Sequence, residues 1–129
     1  MDIGGSCCME KIVKPCSILL VEDNPLVAFD AADRIESEGY RCIVAHDESS
    51  ALKLLENARI DCALLDFDLG KETSVDVALR LDRSGRPYVF VTGRSRDDIR
   101  RCLGSDVRVF SKPVNYADLA NRLAETLGA

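Results

Sequence analysis

From Ser17 onward the chain alternates short apolar runs with amphipathic stretches, five times over. The apolar runs are Ile18-Leu19-Leu20-Val21, Cys42-Ile43-Val44-Ala45, Cys62-Ala63-Leu64-Leu65, Tyr88-Val89-Phe90-Val91 and Val107-Arg108-Val109-Phe110. Most lack in/out alternation, which is the pattern of parallel strands covered on both faces. The segments between them carry helix signals. Asn24-Pro25 puts an N-cap before a proline at the first helical position, Leu26, Phe29, Ala32 and Ile35 then form a stripe, and Gly39 supplies the stop. A second helix is predicted from about 48 to 58, capped by Asp47, with Ala51, Leu52 and Leu55 inward. A third starts near Thr73-Ser74 and buries Val75, Ala78 and Leu81. The fourth, roughly 96 to 103, has only Ile99 and Leu103 as large apolar residues. The last follows Asn115, with Tyr116, Leu119, Ala120, Leu123 and Leu127 at helical spacing and read as core packing.

Strands alternating with helices through short links require right-handed crossovers and an open parallel sheet with helices on both faces. The expected fold is therefore α/β, a flavodoxin-like (βα)5 doubly wound parallel sheet in a single domain spanning 16–129. Sites in such folds lie at the carboxyl ends of the strands. Residues 1–15 (MDIGGSCCMEKIVKP) have no sustained periodicity and read as a disordered tail.

Length and charge narrow the picture. At 129 residues there is room for one ordinary core. A formal charge of −5 argues against broad phosphate neutralisation, so no direct nucleic-acid binding is expected. No apolar run approaches the ~20 residues of a membrane span, and the first fifteen residues lack the features of a signal peptide. A cytoplasmic protein without membrane contact is expected. The six cysteines show no CxxC spacing and are joined by one histidine, which gives a zinc site little support. Cys42 and Cys62 sit in apolar runs, where a thiol behaves as a small buried hydrophobe. His46 reads as an exposed loop residue, and Asp97-Asp98 with Arg100-Arg101 as the solvated face of a helix.

The chemistry gathers at the strand ends. Strand one delivers Glu22-Asp23, strand three Asp66, strand four Thr92 and strand five Lys112-Pro113, each polar and each directly after an apolar run. Converging strand ends put three carboxylates, a hydroxyl and an amine in one pocket. Three packed carboxylates raise each other's pKa unless a cation compensates, and oxygen ligands of this kind suit Mg²⁺. A carboxylate can attack phosphorus to form an acyl phosphate. A lysine and a hydroxyl are the groups needed to neutralise and hydrogen-bond the phosphoryl oxygens.

In these residues the chain closely resembles the response-regulator receiver family. The matching segments are ILLVEDNP (18 to 25), ALLDFDLG (63 to 70), VFVTG (89 to 93) and FSKPV (110 to 114), and the likeness runs from Ser17 to the end. The resemblance implies that Asp66 is the phospho-acceptor in a two-component system. Asp23, Asp66 and the backbone carbonyl of Asp68 would hold Mg²⁺, with Glu22 acting through water. Thr92 would be the switch hydroxyl, Lys112 its cationic partner, and the Lys112-Pro113 peptide cis. The implied partners are a sensor histidine kinase and a downstream target protein on the face formed by helix four, strand five and helix five. The implied assembly is a monomer or weak dimer. With no effector segment after residue 129, output is expected to pass through another protein.

Two departures stand out. Many receivers carry an aromatic three residues before the lysine, where this chain has Val109, so that rotamer switch cannot operate unaltered. The loop after Asp66 lacks the family's usual proline. The stretch from Pro87 to Gly93 resembles instead a subgroup of alphaproteobacterial, often stand-alone receivers with a P-F-x-F-A-T-G-type motif. That subgroup implies a variant, HWE-type sensor kinase as partner, although Val91 and Arg94 differ from its motif. Asp68 reads either as a solvated loop acid or as the partner of Arg94. Asp66-Phe67-Asp68 also resembles the D-x-D of haloacid-dehalogenase-like phosphatases, but here an acid pair precedes it and only a short helix follows Lys112. A non-phosphorylated receiver-like binding module is the third reading.

Overall fold

The computed structural model describes residues 16–128. The proposed tail, with its adjacent Cys7 and Cys8, lies outside the described residues. Five parallel strands, β1 (Ser17–Val21), β2 (Arg41–Ala45), β3 (Cys62–Asp66), β4 (Tyr88–Thr92) and β5 (Val109–Ser111), stand in the order β2-β1-β3-β4-β5. Helices α1 (Pro25–Glu36), α2 (Glu48–Asn57), α3 (Val75–Arg83), α4 (Arg96–Leu103) and α5 (Tyr116–Gly128) follow the strands one by one. This is the flavodoxin-like doubly wound architecture expected from the alternation. Its strand order reverses between β1 and β3, the place where such sheets open a crevice at their carboxyl ends.

The sheet divides the interior into two cores because successive strand residues face opposite sides. Leu19, Val21, Ala63, Leu65 and Phe90 pack under α2, α3 and α4, whose inward residues include Ala51, Leu55, Ala78, Leu81 and Ile99. Ile18, Leu20, Cys62, Leu64, Val89 and Val91 pack under α1 and α5. Phe90 anchors the first core through edge-on contacts with Phe67 and Tyr88, at centroid distances of 5.6 and 5.7 Å. No helix of the described residues is long and apolar enough to cross a membrane.

The capping signals act as read. Asn24 Oδ1 accepts from the N–H groups of Leu26 and Val27, and Asp47 Oδ1 accepts from Ser50. The stripe proposed for α1 does not. Leu26 and Phe29 are 81% and 77% exposed, while the buried residues are Ala28, Ala31 and Ile35. Helix geometry explains the error: nine residues are about two and a half turns, so Leu26 and Ile35 lie on opposite sides. Small residues at 28 and 31 let α1 lie close to the sheet.

Other boundaries also shift. The fifth strand is Val109–Ser111 rather than 107–110, because its extent is set by pairing to β4, Phe90 with Val109 through Thr92 with Ser111. Val107 still packs against the core from the preceding loop. In α3 the buried set is Val77, Ala78 and Leu81, with Val75 half-buried. Leu127 is exposed in the last turn of α5, at the rim of a cleft lined by Arg86, Tyr88 and Arg108. Cys42, on the edge strand β2, is half-buried, whereas Cys62 in the centre is fully buried. Burial pushes both thiols up, that of Cys42 to about 12.

Candidate functional site

Each sequence-predicted residue stands where a strand ends at the open edge of the crevice. β1 runs out at Val21, and the chain must then turn into α1, whose cap Asn24 follows only three residues later. That short link forces Glu22 and Asp23 over the end of β1. Glu22 is only 2% exposed. Its Oε2 accepts from the Asn24 backbone N–H at 3.1 Å, and its Oε1 faces Lys112. Asp23 turns outward and is exposed. Asp66 closes β3 and is 8% exposed. One carboxylate oxygen from each of Glu22, Asp23 and Asp66 lies within 4.8 Å of the other two.

Lys112 enters from the far side. Its backbone N–H bonds the Thr92 carbonyl, tying the end of β5 to the end of β4, and the next peptide bond, Lys112-Pro113, is cis. Its Nζ sits 3.2 Å from Glu22 Oε1 and 3.4 Å from Asp66 Oδ1. Burial pushes the Asp66 carboxyl up, and the neighbouring Glu22 charge pushes it further, to about 7 even against the pull of Lys112. Burial also disfavours the Lys112 ammonium, but Asp66 and Glu22 outweigh it and the lysine is held above its ordinary value. Tyr116, in the first turn of α5, is pushed up by burial to about 12, with Lys112 opposing and Glu22 and Asp66 reinforcing the shift. Its helical spacing predicts core packing. It is buried as expected, and it also borders the charged pocket.

The carboxylate set fits a hard divalent cation. All three donors are oxygens, two of them are buried, and one lysine stands against three acids. The loop that follows Asp66 forms a small antiparallel ribbon, Asp68 pairing with Thr73 and Leu69 with Glu72. Gly70 makes its turn with φ +73°, a conformation that L side chains rarely adopt, and a Cβ there would lie 4.0 Å from Asp23 Oδ2. The ribbon keeps the Asp68 side chain away from the acid cluster. Both its oxygens accept from Arg94, Nε–H to Oδ2 at 2.9 Å and Nη2–H to Oδ1 at 2.8 Å.

Thr92 is fully buried at the end of β4, and its Oγ1 accepts from the Arg94 backbone N–H at 2.9 Å. His46 is exposed, as expected, and its Nδ1 lies 3.0 Å from the Glu22 carbonyl. A carbonyl only accepts, so Nδ1 carries the proton. Nothing in the linear pattern signals this contact, which depends on β2 lying beside β1.

Residues 18–124 match the model of the response regulator receiver domain. The chain belongs to the response regulator receiver family. Among curated receivers it is 32% identical over 114 residues to the transcriptional regulatory protein CpxR of Escherichia coli, covering 85% of this chain and 48% of CpxR. It is 33% identical over 111 residues to the sensor histidine kinase RcsC of Salmonella typhi, covering 83% of this chain and 12% of the kinase. The chain thus spans about half the length of the first and an eighth of the second. The solution structure of SdrG from Sphingomonas melonis superposes with a TM-score of 0.70 at 34% identity, covering 88% of this chain and 97% of SdrG. A CheY-like receiver domain from Methanospirillum hungatei gives 0.73 at 26% identity, covering 88% and 94%.

Proposed function

We propose that this receiver takes a phosphoryl group from a sensor histidine kinase onto Asp66, in a Mg²⁺ site, and passes the signal on by changing its protein contacts. The supporting observation is the placement of Lys112 Nζ between the buried Glu22 and Asp66 carboxylates, with Asp23 within 4.8 Å. An Asp66 oxygen would attack phosphorus as the bond to the donor imidazole nitrogen breaks. The imidazole would leave with that electron pair, and the product is an acyl phosphate. Lys112 would neutralise phosphoryl charge, and Thr92 would donate its hydroxyl to a phosphoryl oxygen.

Asp23, Asp66 and the Asp68 carbonyl would hold Mg²⁺ directly, with Glu22 reaching it through water. The ion supplies charge compensation for the acids and for the transferring group. Glu22, tied to Lys112 and to the Asn24 amide, would also orient the lysine. A variant HWE-type kinase is the proposed donor, on the strength of the Pro87 to Gly93 stretch. A target protein would read the phosphorylated state on the α4–β5–α5 face. A haloacid-dehalogenase-like mechanism has less support, because both oxygens of Asp68 are engaged by Arg94 rather than facing Asp66.

The test is labelling from acetyl phosphate or a cognate kinase with Mg²⁺ present. The wild-type chain should gain acid-labile, hydroxylamine-sensitive phosphate, and Asp66→Asn should gain none. Labelling that persists in Asp66→Asn would refute the assignment of the acceptor.

A further inference from the structure

Cys16, just before β1, and Cys62, the first residue of β3, bring their Sγ atoms to 3.9 Å although they lie 46 residues apart in the chain. Cys62 is fully buried in the centre of the sheet, and Cys16 is half-buried beside it. The backbone around the pair is fastened. The Cys16 carbonyl accepts from the Arg41 N–H at 2.9 Å, and the Ser17 carbonyl accepts from the Asp61 N–H at 2.8 Å. The Ser17 N–H in turn donates to Asp61 Oδ2 at 2.8 Å. Neither thiol has a part in the chemistry proposed for Asp66.

We propose that Cys16 and Cys62 form a reversible oxidation site for hydrogen peroxide, closing a disulfide that clamps β1 to β3 at their amino ends. Cys16 is the attacking thiol, because of the two only Cys16 is open to solvent. Burial pushes its thiol up, and the hydrogen bond with Cys62 opposes that push, whereas Cys62 is pushed up by burial and by Cys16 together. The Cys16 thiolate attacks one peroxide oxygen and the O–O bond breaks. The hydroxide released takes up the thiol proton as water, leaving a sulfenic acid on Cys16. The Cys62 sulfur then attacks the Cys16 sulfur, the S–O bond breaks, and the Cys62 proton leaves with that hydroxide as a second water. Two thiols and one peroxide give one disulfide and two waters.

A disulfide sets its sulfurs about 2.05 Å apart, so the gap of 3.9 Å must shorten by about 1.9 Å. With the backbone fastened, that movement falls to rotation of the two side chains. The same fastening keeps the sulfurs adjacent, which favours ring closure over further oxidation of the sulfenic acid. β1 and β3 are also the strands that carry Glu22, Asp23 and Asp66 at their other ends. Four residue steps, about 13 Å of strand, separate Cys62 from Asp66. The clamp therefore acts on strand pairing without entering the acid pocket. Closing so long a loop restricts the unfolded chain and favours the folded one.

The reduced full chain, treated with hydrogen peroxide, digested without reductant and mapped by mass spectrometry, tests the site. A pair of peptides joined through Cys16 and Cys62 should appear, about 2 Da lighter than its two parts, and dithiothreitol should separate them. Cys62→Ala should instead leave Cys16 as a sulfenic acid that dimedone traps at several times the wild-type yield, a change that mere packing neighbours would not produce. Cys102→Ser removes the exposed thiol, and in that background the urea midpoint should rise on oxidation and return on reduction. Cys16 left unmodified, or joined to a cysteine other than Cys62, would overturn the site. Equal dimedone trapping with and without Cys62 would do the same. A midpoint unchanged or lowered in the joined chain would overturn the clamp. If Cys62→Ala does not fold, the wild-type peptide map decides the site by itself.

Discussion

Lys112 Nζ and Glu22 Oε1, ninety residues apart in the chain, stand 3.2 Å from each other with the carboxylate almost wholly buried. The second carboxylate, Asp66, is 3.4 Å from the same nitrogen. One half-buried ammonium thus compensates two buried acids, and the arrangement is stable only while that cation is present or another replaces it.

Lys112→Met should accordingly destabilise the Mg²⁺-free protein by about 1–3 kcal/mol, less than a fully buried pair because the lysine is partly solvated. Mg²⁺ should recover part of the loss. Urea unfolding with and without the metal measures both. A variant as stable as wild type in either condition would show that the lysine does not hold the acids together.

Asp66 makes metal-free stability depend on pH. Its carboxyl is raised in the folded state to about 7, from 3.8 in an ordinary environment. The folded state therefore binds its proton more tightly than the unfolded one. The resulting contribution is full below about pH 4 and is lost as pH rises through 7. Without Mg²⁺ the urea midpoint should fall as pH rises from about 4 to about 7 and level off above, and Asp66→Asn should flatten that slope. Mg²⁺ binding near pH 7 should release protons, which calorimetry in buffers of different ionisation enthalpy detects. No proton release would contradict the raised carboxyl.

The corrected face of α1 leads to a paired test. Phe29→Ser should change stability by no more than about 0.5 kcal/mol, as for a surface position. Ile35→Ala, on the buried side, should cost about 2–4 kcal/mol. Chemical denaturation of the two variants separates the faces, and a large loss at Phe29 would restore the original stripe.

Asn24→Ala should cost about 1 kcal/mol, because the Leu26 and Val27 amides lose their acceptor. The same link carries Glu22 and Asp23 into the crevice, so metal affinity should weaken in step with stability. Thermal melts and Mg²⁺ titration of that variant would show the two moving together, and a stable variant with unchanged affinity would disconnect cap from site.

What local chemistry dictates was legible in the chain alone. Uninterrupted apolar runs mark strands covered on both faces, and Asn24-Pro25 and Asp47 start helices because side chain–amide bonds act over two or three residues. Polar residues at the ends of those runs had to reach one edge of the sheet. Glu22, Asp23, Asp66, Thr92 and Lys112 could therefore be named as neighbours from connectivity. Even the Asp68–Arg94 pair was foreseeable, since both residues stand at the same offset past the ends of two strands that prove to be adjacent.

Tertiary structure decided which face of each helix is buried, where an edge strand begins and how the acids share a cation. An apolar side chain shows the same pattern in the chain whether or not a neighbour covers it. Leu26 and Phe29 are left in solvent because the sheet and α5 meet α1 on its alanine side. The end of β5 follows its single partner β4, and the contact of His46 with the Glu22 carbonyl exists only because β2 lies against β1. The raised Asp66 carboxyl likewise requires Glu22 and burial together, a condition of spatial neighbours that no run of consecutive residues can encode.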